Sequence, residues 1–421
     1  MKNNGKKDSI LFGKRDEPII TTLLEVDTYK FLMMYFIWTY VPSMLVAFAF
    51  TNRTVSVKLG QHVSLSRLKE ELSAVRTLKI TERIITYLRT KNLFSEEFFS
   101  AIRKIQLSEP EIAKKADGQF EITVRGIWYQ VTLWETIILA IVNQLYAESM
   151  IGYDADFQKQ VINEGEKRLR EKAMILRETP IKFLQFGLRR RLSGYWEKHV
   201  TEMAYELMPQ NIVAVSNVAL AQDLGVSWGG TNAHELYSGF YALRLKESPE
   251  KARYAQYEVL EKWQKLFPYN FRVMLPDTFG SQQFFEGLPQ AIAQNFRGAR
   301  QDSGDPVVFG KMLIEMYARI GIDPKTKDLL FSDGLDVPEM LRLQAYFSGL
   351  IKVLFGWGTN FSNDTGYLEA ISIVMKLVRA AGNPAVKLSD NLAKAIGEKE
   401  SILRAKDIFG YKNVFTQKCV Y

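Results

Sequence analysis

Cysteine is almost absent from this chain of 421 residues: the one cysteine is Cys419, close to the C-terminus. No disulfide can form within the chain, which excludes a small secreted scaffold held together by disulfides. A reducing compartment is therefore expected, and the cytoplasm fits it. Histidine is scarce as well, with three residues, His62, His199 and His234. Any histidine chemistry must come from one of these positions.

The sequence also lacks a secretory leader and an uninterrupted membrane span. Its N-terminus has no apolar run followed by a small-residue cleavage site. Residues 31–50 are free of charge and long enough for a bilayer, but Pro42 would break a helix near the middle. The residues after Pro42 alternate and are rich in β-forming types. We expect a helix over 27–40, a proline turn, a buried strand and no membrane association.

No concentrated basic surface is visible, although the formal charge is +8. Lys and Arg are spread along the chain, and the one cluster outside a predicted helix is MKNNGKKDSILFGKR. This cluster indicates a flexible basic tail over residues 1–18. Small anionic substrates explain an excess of arginine as well as nucleic acid does, so no nucleic-acid partner is expected.

The first part of the sequence indicates a mixed α+β region over residues 19–177. Residues 55–118 are charged and helical in pattern. The next stretch, GQFEITVRGIWYQVTLWETIILAIVNQLYAES, predicts a β-hairpin that turns at Arg125 and Gly126, then a long helix from about Glu135. The polar segment DADFQKQVINEGEKRLREKAMILRE predicts a further helix that completes the region.

From about residue 178 the pattern changes and repeats. Short apolar runs end in a small or polar residue and precede helix-like or loop sequence: IKFLQF, NIVAVSN, GVSWGGTN, NFRVMLPDT, DLLFSDG and IKVLFGWGTN, with GARQDSGDP as a weaker case. Such repetition means parallel strands with crossover helices, which is the α/β class. The spacing favours an irregular TIM-like α/β barrel over residues 178–384 rather than an open sheet.

The segment ISIVMKLVRAAGNPAVKLSD predicts a hairpin around AAGN that returns to pack with the N-terminal sheet. Residues 385–421 are accordingly expected to complete the N-terminal α+β domain. In the barrel, the strand ends should converge on one mouth. The residues at those ends are Phe186, Arg189, Ser216, Asn217, Gly229, Gly230, Asp277, Arg300, Asp302, Ser303, Asp305, Asp333, Gly356, Gly358 and Thr359.

Two of these strand ends suit a sugar phosphate. Closely spaced glycines in FGWGTN would let backbone N–H groups approach an oxyanion, although a simple tight turn explains them equally well. In RQDSGDP, Arg300 supplies a bidentate fork for phosphate or carboxylate. Asp302 and Asp305 could accept from sugar hydroxyls or hold the waters of Mg²⁺, whereas helix capping would also explain Asp302 and Ser303. Asp333, in FSDGLD, could likewise accept from sugar hydroxyls or hold the waters of Mg²⁺.

His234 lies in GGTNAHE, at the start of a predicted helix with Thr231 or Asn232 as its cap. A helix N-terminus lowers the pKa of an imidazole and favours bound anions. A neutral imidazole there can attack a phosphoryl group, with Glu235 or a nearby aspartate orienting its other nitrogen. A histidine that is merely hydrogen-bonded at a helix start is the alternative.

Seven motifs, in order over about residues 20–395, resemble the nicotinate phosphoribosyltransferase family: LEVDTYKFLMM, FLQFGLRRR, VSNVALAQDLGV, GGTNAHE, RQDSGDPV, GIDPKTKDLLFSDGLD and FGWGTN. The tail and residues 55–118 carry no such signature. The resemblance implies transfer of a phosphoribosyl group from phosphoribosyl pyrophosphate to nicotinate, with Mg²⁺, in NAD salvage. It also implies ATP hydrolysis through a phosphohistidine, which matches His234.

The resemblance assigns the remaining roles position by position. It implies that Tyr29 reaches across the interface of a homodimer with a shared active site to stack on the pyridine ring, and that Phe186 covers the other face. The residues implied to hold the carboxylate, phosphates, ribose and Mg²⁺ (the ion through water) are Arg189, Thr231, Arg300, Asp302, Ser303, Asp333, Gly356, Gly358 and Thr359, with Glu235 and Asp302 beside the phosphohistidine.

The choice between nicotinate and nicotinamide depends on charge. Relatives that use the amide resemble this chain but carry an acidic side chain at the position aligned with Ser216. Ser216 and Asn217 are neutral and Arg189 is close in sequence, which favours the acid. Nicotinamide or quinolinate phosphoribosyltransferase on the same fold is the alternative, as is, from another class, a non-catalytic nucleotide-binding regulator.

Overall fold

Residues 9–14 and 17–412 are described by the computed structural model of this chain. Most of the predicted basic tail and Cys419 lie outside these ranges. The helices are α1 (Thr28–Tyr40), α2 (Leu59–His62), α3 (Leu65–Thr77), α4 (Glu82–Arg89), α5 (Glu96–Ile102), α6 (Trp128–Val131), α7 (Trp134–Ile151), α8 (Ala155–Leu176), α9 (Gly194–Leu207), α10 (Val218–Asp223), α11 (His234–Arg244), α12 (Pro249–Leu266), α13 (Ser281–Gly287), α14 (Gln290–Asn295), α15 (Pro306–Arg319), α16 (Val337–Phe347), α17 (Thr359–Ser362) and α18 (Lys399–Phe409).

The strands form two sheets. They are β1 (Leu45–Asn52), β2 (Glu111–Lys114), β3 (Phe120–Ile127), β4 (Phe183–Gln185), β5 (Ile212–Val215), β6 (Val273–Met274), β7 (Gly298–Gln301), β8 (Asp328–Phe331), β9 (Lys352–Trp357), β10 (Ile373–Ala380) and β11 (Asn383–Pro384). One sheet has the order β11-β10-β1-β3-β2, and the other has the order β5-β4-β9-β8-β7-β6. Short 3-10 helices lie at Leu188–Arg190, Tyr269–Phe271, Pro276–Thr278, Pro324–Thr326 and Leu392–Lys394.

The charge-free stretch folds as a helix followed by a strand, as predicted. Helix α1 stops at Tyr40, two residues before Pro42, because a proline cannot supply the N–H of a continuing helix and restricts the residue before it. Strand β1 follows, and four of its eight residues are buried. Among residues 9–14 and 17–412, no helix combines the length and the apolar character that a bilayer crossing requires.

The hairpin predicted at Arg125 and Gly126 is wrong. Both residues lie inside β3, where they pair with Ala47 and Val46 of β1. The turn comes earlier, between β2 and β3, and contains Gly118 with a φ of +81°. Gly126 serves close packing instead, since a Cβ there would lie 2.7 Å from Val131 Cγ1.

The C-terminal hairpin returns to the N-terminal sheet, as predicted. Strand β10 pairs antiparallel with β1 along its length, from Val46 opposite Ala380 to Asn52 opposite Ile373. The turn between β10 and β11 has positive φ at Ala381 and Gly382, which suits a tight hairpin. The chain therefore returns to this sheet at Ile373. The predicted boundary between the two domains at residue 384 stays a prediction.

The second sheet is parallel throughout, which confirms the mixed α/β class. Helices follow its strands as crossovers. Among the described residues, β5 and β6 are the two edge strands of this sheet. The strand predicted in GVSWGGTN is reduced to one parallel bridge between Val215 and Trp228. Because parallel strands end at one edge, the residues after β4, β7, β8 and β9 lie close together there.

Residues 55–118 contain four helices, α2 to α5, as the helical pattern predicts, and also the strand β2, which it does not predict. Each of α3, α4 and α5 begins with a hydroxyl cap, supplied by Ser64, Thr81 and Ser95 in turn. Each helix buries its apolar side chains in the common core. This part of the chain therefore belongs to the folded body that holds α1 and α7 in place.

Candidate active site

A cavity of about 830 Å³ opens at the carboxyl edge of the parallel sheet, between that sheet and β10. Nine of the residues predicted for the site line it: Phe186, Arg189, His234, Arg300, Asp302, Asp333, Gly356, Gly358 and Thr359. A second cavity of about 870 Å³ lies beside α9 and contains Asn217 but none of these nine. The convergence of the strand ends places the candidate site in the first cavity.

His234 is the first residue of α11 and is 4% exposed. Its Nδ1 lies 2.9 Å from Thr278 Oγ1, and its Nε2 lies 2.9 Å from both Asp302 Oδ2 and Lys387 Nζ. Asp277 Oδ1 is 3.7 Å from the same Nε2. The imidazole is thus oriented on both nitrogens, and Nε2 faces the charged groups of the cavity.

Burial, and then the positive charge of Lys387, lower the pKa of His234 to about 4, against the opposing pull of Asp277 and Asp302. The imidazole is therefore neutral at physiological pH. Burial alone would raise the pKa of Asp302, but Arg300, His234 and Lys387 outweigh it and hold that carboxyl well below its usual range. A neutral imidazole beside an ionised carboxylate is the pairing that a phosphoryl acceptor requires.

The contacts allow two tautomers of His234. With the proton on Nε2, the ring donates to Asp302 and accepts from the Thr278 hydroxyl. With the proton on Nδ1, the ring donates to Thr278 and its Nε2 lone pair accepts from Lys387. The second tautomer presents a nucleophilic nitrogen to the cavity.

His234, Asp277 and Asp302 offer ligand atoms that lie within 4.8 Å of one another. Such a cluster could hold a metal ion by distance alone. Lys387 Nζ, however, lies 2.9 Å from His234 Nε2 and 3.4 Å from Asp277 Oδ2. This ammonium already supplies a positive charge within the cluster, so the geometry disfavours a metal ion at these three residues.

Glu235 does not orient the imidazole, contrary to one of the two options that the sequence left open. Its carboxylate accepts from Lys30 Nζ at 2.6 Å, Thr132 Oγ1 at 2.5 Å and Trp128 Nε1 at 3.1 Å. Successive residues of a helix point about 100° apart, so Glu235 and His234 face different parts of the molecule. The nearby aspartate, Asp302, is the group that contacts the imidazole.

Arg300 lies in β7 and points across the cavity floor. Its Nη1 donates to Thr231 Oγ1 at 2.9 Å, and its Nη2 lies 4.0 Å from Asp302 Oδ1. Ser332 also donates to Asp302 Oδ1, at 3.0 Å. The Thr231 hydroxyl therefore orients Arg300, and Thr231 is itself buried.

The three arginines of LRRR have different surroundings. Arg189 and Arg190 end a 3-10 turn, which spaces successive side chains by about 120°, and Arg191 follows it in extended conformation. Arg189 pairs with Asp27, its Nε 3.2 Å from Oδ2, and lines the cavity. Arg191 is buried on the opposite side, paired with Glu25 and Glu197. Arg190 also lines the cavity, and burial together with Arg189 lowers its pKa to about 10. Crowded cations of this kind favour bound anions.

Tyr29 is buried within its own chain. Arg189 lies over its ring at 5.9 Å, and its hydroxyl is 3.5 Å from Glu135 Oε2. The resemblance implies a role across a dimer interface, yet the closeness of Tyr29 to Arg189 requires no second subunit. Ser216 is also buried, and its hydroxyl donates to Asp27 Oδ1 at 2.8 Å. The carboxylate of Asp27 thus lies beside Ser216, and the sequence does not predict this contact.

The two glycines of FGWGTN lie at the end of β9: Gly356 is within the strand and Gly358 directly follows it. A Cβ on Gly356 would lie 2.5 Å from the Phe186 ring, so the absence of a side chain leaves room for that ring. Gly358 and Thr359 open the short helix α17. Lys172 of α8 donates to Asn360 O at 2.7 Å and to Asp364 Oδ2 at 2.6 Å, which anchors the turn from behind.

Several predicted residues cap helices or support the site rather than face it. Ser303 is fully buried and donates to Asp277 at 2.6 Å. Asp305 caps α15, and Asn217 caps α10 while donating to Glu197 at 3.0 Å. These are capping and packing roles, and direct contact of Ser303 or Asn217 with a substrate stays a prediction. His199, paired with Glu166 at 2.7 Å, lies outside the cavity.

Much of the positive charge around the cavity was not predicted from the sequence. Lys376, Lys387, Lys394, Arg53 and Arg190 all line the cavity. Lys394 Nζ is 2.6 Å from Asp333 Oδ1, although burial still raises the pKa of Asp333 overall. The motif AVKLSD was visible, but only the pairing of β10 with β1 brings its lysine to His234.

Comparison with known families agrees with this architecture. Residues 181–413 match the model of the nicotinate phosphoribosyltransferase (NAPRTase) family, and residues 24–143 match the NAPRTase N-terminal domain. The first match alone spans more than half of the chain.

Solved structures are similar over nearly the whole chain. The crystal structure of nicotinate phosphoribosyltransferase from Porphyromonas gingivalis is 30% identical, covers 93% of this chain and 100% of its own, and has a TM-score of 0.84. The enzyme of that name from Vibrio cholerae is 29% identical, with 96% of each chain covered and a TM-score of 0.85. A putative nicotinate phosphoribosyltransferase from Saccharomyces cerevisiae is 26% identical, covers 94% and 100%, and has a TM-score of 0.82.

Proposed function

The chain belongs to the nicotinate phosphoribosyltransferase family, and we propose that it joins nicotinate to the phosphoribosyl group of phosphoribosyl pyrophosphate. The products are nicotinate mononucleotide and pyrophosphate. We further propose that ATP hydrolysis drives the reaction through phosphorylation of His234. The observation that carries the proposal is a buried neutral imidazole whose Nε2 meets Asp302 and Lys387 at the edge of a strongly cationic cavity.

The phosphoryl step begins with the tautomer whose proton is on Nδ1, donated to Thr278. The Nε2 lone pair attacks the γ-phosphorus of ATP, the bond from phosphorus to the bridging oxygen breaks, and ADP leaves. Lys387, whose Nζ is 2.9 Å from Nε2, and Arg300 would neutralise the phosphoryl oxygens. Water later cleaves the N–P bond and releases phosphate, which restores the imidazole.

The phosphoribosyl step needs no protein nucleophile. The pyridine nitrogen of nicotinate attacks C1 of the sugar while the bond from C1 to pyrophosphate breaks, through an oxocarbenium-like state. The site then works by positioning and by charge stabilisation. The turn at Gly358 and Thr359 would hold the 5′-phosphate, Phe186 would cover the pyridine ring, and the cavity lysines would receive the pyrophosphate.

Asp302 and Asp333 fit Mg²⁺ through water better than by direct coordination. One oxygen of Asp302 is held by His234 and the other by Ser332, and Asp333 is held by Lys394. Carboxylates engaged in this way can still accept from the waters of a hydrated ion. When bound, Mg²⁺ would supply positive charge to the pyrophosphate group.

Nicotinate remains the substrate that the charges favour. Asp27 is close to Ser216, but Arg189 and the Ser216 hydroxyl already neutralise and hold it. Arg189 and Arg190 together leave this end of the cavity positive, which suits the carboxylate of nicotinate better than a neutral amide.

We also infer that the parallel sheet curves into an irregular barrel. Trp228 pairs with Val215 at the β5 end, and Asn232 Nδ2 donates to Val273 O at the β6 end, 3.1 Å away. The segment 228–232 therefore reaches both ends of the sheet. The homodimer implied by the resemblance stays a prediction.

The test is product formation from phosphoribosyl pyrophosphate and Mg²⁺ with nicotinate, nicotinamide or quinolinate as the acceptor. Nicotinate should give nicotinate mononucleotide, and the other two acceptors should give little product. Reaction with nicotinamide or quinolinate alone would contradict the assignment of the substrate and leave the family and the fold as they are.

A further inference from the structure

Ser303 is a fully buried serine at the edge of the candidate site. Its Oγ lies 2.6 Å from Asp277 Oδ2, 2.8 Å from Ser389 Oγ and 3.2 Å from the backbone nitrogen of Asp390. We name residues 387–390 the Lys387 segment. The Ser303 hydroxyl therefore connects a carboxylate of the site with the Lys387 segment, which is distant from it in the sequence.

The donors and acceptors around Ser303 can be assigned. A serine hydroxyl has one proton to donate and two lone pairs that accept. Burial would raise the pKa of Asp277, but Lys387 and other neighbours outweigh it and lower that pKa, so the carboxylate is ionised and only accepts. It takes the Ser303 proton, while the Asp390 N–H and the Ser389 hydroxyl donate to Ser303. The hydroxyl is thus fully hydrogen-bonded.

These contacts hold Lys387 in two independent ways. Lys387 Nζ lies 3.4 Å from Asp277 Oδ2, which is the oxygen that Ser303 also holds. In addition, Ser389 and Asp390 follow Lys387 by two and three positions, so their hydrogen bonds to Ser303 fix the backbone that carries the lysine. One hydroxyl therefore orients both the ionic partner of Lys387 and its main chain.

The backbone of the Lys387 segment has a conformation that depends on such contacts. Ser389 has a φ of +66°, in the left-handed region that residues other than glycine seldom adopt. Conformations of this kind persist where the surrounding structure holds them. Apart from the bond to Ser303, the Ser389 carbonyl accepts from the Tyr411 hydroxyl at 2.8 Å, and its N–H donates to Thr278 O at 3.3 Å.

The position of Lys387 decides which tautomer His234 adopts. Lys387 Nζ and Asp302 Oδ2 both lie 2.9 Å from His234 Nε2. An ammonium only donates, so Lys387 selects the tautomer with a lone pair on Nε2, whereas an ionised carboxylate only accepts and selects the tautomer with a proton there. If Lys387 withdrew, Asp302 would select the tautomer that has no nucleophilic nitrogen in the cavity.

We propose that Ser303 is a positioning residue for phosphorylation of His234, because it holds the Lys387 segment where the ammonium meets Nε2. This inference rests on the proposed function. Ser303 acts through Lys387, so removal of its hydroxyl slows the attack of Nε2 on the γ-phosphorus of ATP. The same removal has no further effect once the lysine itself has been replaced.

The test measures the single-turnover transfer of labelled phosphate from saturating ATP to His234, on the full chain. The proteins are wild type, Ser303→Ala, Lys387→Met and the double variant. Ser303→Ala should slow the transfer about tenfold, the order expected when one hydrogen bond to a charged group is lost. The double variant should be within about twofold of Lys387→Met, since residues that act as one unit are not additive.

A crystal structure of Ser303→Ala is the second measurement. Lys387 Nζ should lie outside hydrogen-bonding distance of His234 Nε2, in contrast to the 2.9 Å of wild type.

Thr201→Val is the matched control. Thr201 is also fully buried, and its hydroxyl donates to Glu197 O at 2.7 Å within α9, away from the cavity. The control should transfer phosphate at the rate of wild type. Should Ser303→Ala fail to fold, Ser389→Gly removes the hydroxyl that donates to Ser303, and glycine adopts the positive φ without strain. Ser389→Gly should slow the transfer to a smaller extent, again only while Lys387 is present.

Three results would overturn the proposal: losses that multiply in the double variant, an unmoved Lys387 in the crystal structure, or unchanged phosphate transfer with a raised KM for phosphoribosyl pyrophosphate. The last result would indicate direct contact of Ser303 with the substrate instead. Failure of the proposed function is distinguishable, since wild type itself would then take no labelled phosphate on His234. The crystal structure would still decide whether Ser303 holds Lys387.

Discussion

His234 meets a hydroxyl, a carboxylate and an ammonium within hydrogen-bonding distance, and each controls a different property of the ring. Thr278 fixes the orientation through Nδ1, while Asp302 and Lys387 compete for Nε2. Burial lowers the pKa of the imidazole and Lys387 adds to the effect, which keeps the ring neutral and nucleophilic. The scarcity of histidine in the chain fits a residue retained for chemistry.

The low pKa of His234 predicts a specific dependence of stability on pH. The folded-state pKa of about 4 lies below the ordinary value of 6.5. Between these values the unfolded chain binds a proton that the folded chain does not, so the free energy of unfolding rises with pH across this window and the contribution is lost toward acid. The contribution is up to about 3 kcal/mol.

Urea unfolding of wild type and His234→Gln at about pH 5 and about pH 7 measures this contribution. From about pH 5 to about pH 7 the free energy of unfolding should rise more for wild type than for His234→Gln, because glutamine takes up no proton. Equal gains in the two proteins would show that the imidazole is not held neutral by its surroundings.

At the scale of elements, the turn at Gly358 and Thr359 depends on a helix far away in the sequence, since Lys172 and Asn360 are 188 positions apart. Lys172 of α8 donates to Asn360 and Asp364 and thereby fixes the start of α17. Burial lowers the pKa of this lysine, with Asp364 opposing the effect. In the proposed function the glycines would let a phosphate approach, and α8 keeps the turn in position.

Lys172→Met should therefore weaken the binding of phosphoribosyl pyrophosphate more than it slows turnover. We expect KM for phosphoribosyl pyrophosphate to rise roughly tenfold, since displaced backbone donors bind the 5′-phosphate less well. Steady-state kinetics check this, with Lys167→Met as the control, because Lys167 lies on the same helix and its side chain is 65% exposed. Equal effects of the two substitutions would contradict the anchoring role.

Strands β7 and β8 pack so closely that only glycine fits at one position. A Cβ on Gly298 would lie 1.9 Å from the main-chain oxygen of Asp328. Gly298→Ala should lower the free energy of unfolding by about 3 kcal/mol or more, because backbone cannot yield as a flexible side chain does. Thermal unfolding of Gly152→Ala provides the comparison.

Gly152 has a φ of +72° and no neighbouring atom within 4 Å of an added Cβ. Its replacement should cost only about 1 to 2 kcal/mol of backbone strain. If Gly298→Ala is no more harmful than Gly152→Ala, the two strands are less tightly paired than described.

The sequence predicts local elements well and long-range placement less well. The parallel strands could be predicted because a buried strand is a short apolar run with a small or polar residue at its end. Gly126 shows the limit: glycine marks a turn and a close approach equally, and only the neighbouring Val131 decides between them. Asn217 shows a second limit: it caps α10, and the sequence alone cannot tell a capping asparagine from one that contacts a ligand.

On the scale of the whole molecule, the site is built between two sheets. The parallel sheet supplies Arg300 and the strand-end residues, and β10 of the antiparallel sheet supplies Lys376. The lysines at 387 and 394 follow that strand into the cavity. Their contribution could not be predicted from the sequence, since it depends on a pairing between residues more than 300 positions apart along the chain.

The combination of both sheets around a neutral histidine leads to the central claim, that ATP phosphorylates His234 and thereby drives nicotinate mononucleotide formation. The most direct measurement is the rate of product formation from nicotinate, phosphoribosyl pyrophosphate and Mg²⁺, with and without ATP, for wild type and His234→Ala. We expect that ATP accelerates wild type, that labelled phosphate is found on His234, and that His234→Ala loses both. If ATP still accelerates His234→Ala, or if the label is found on another residue, the proposed phosphorylation of His234 is wrong.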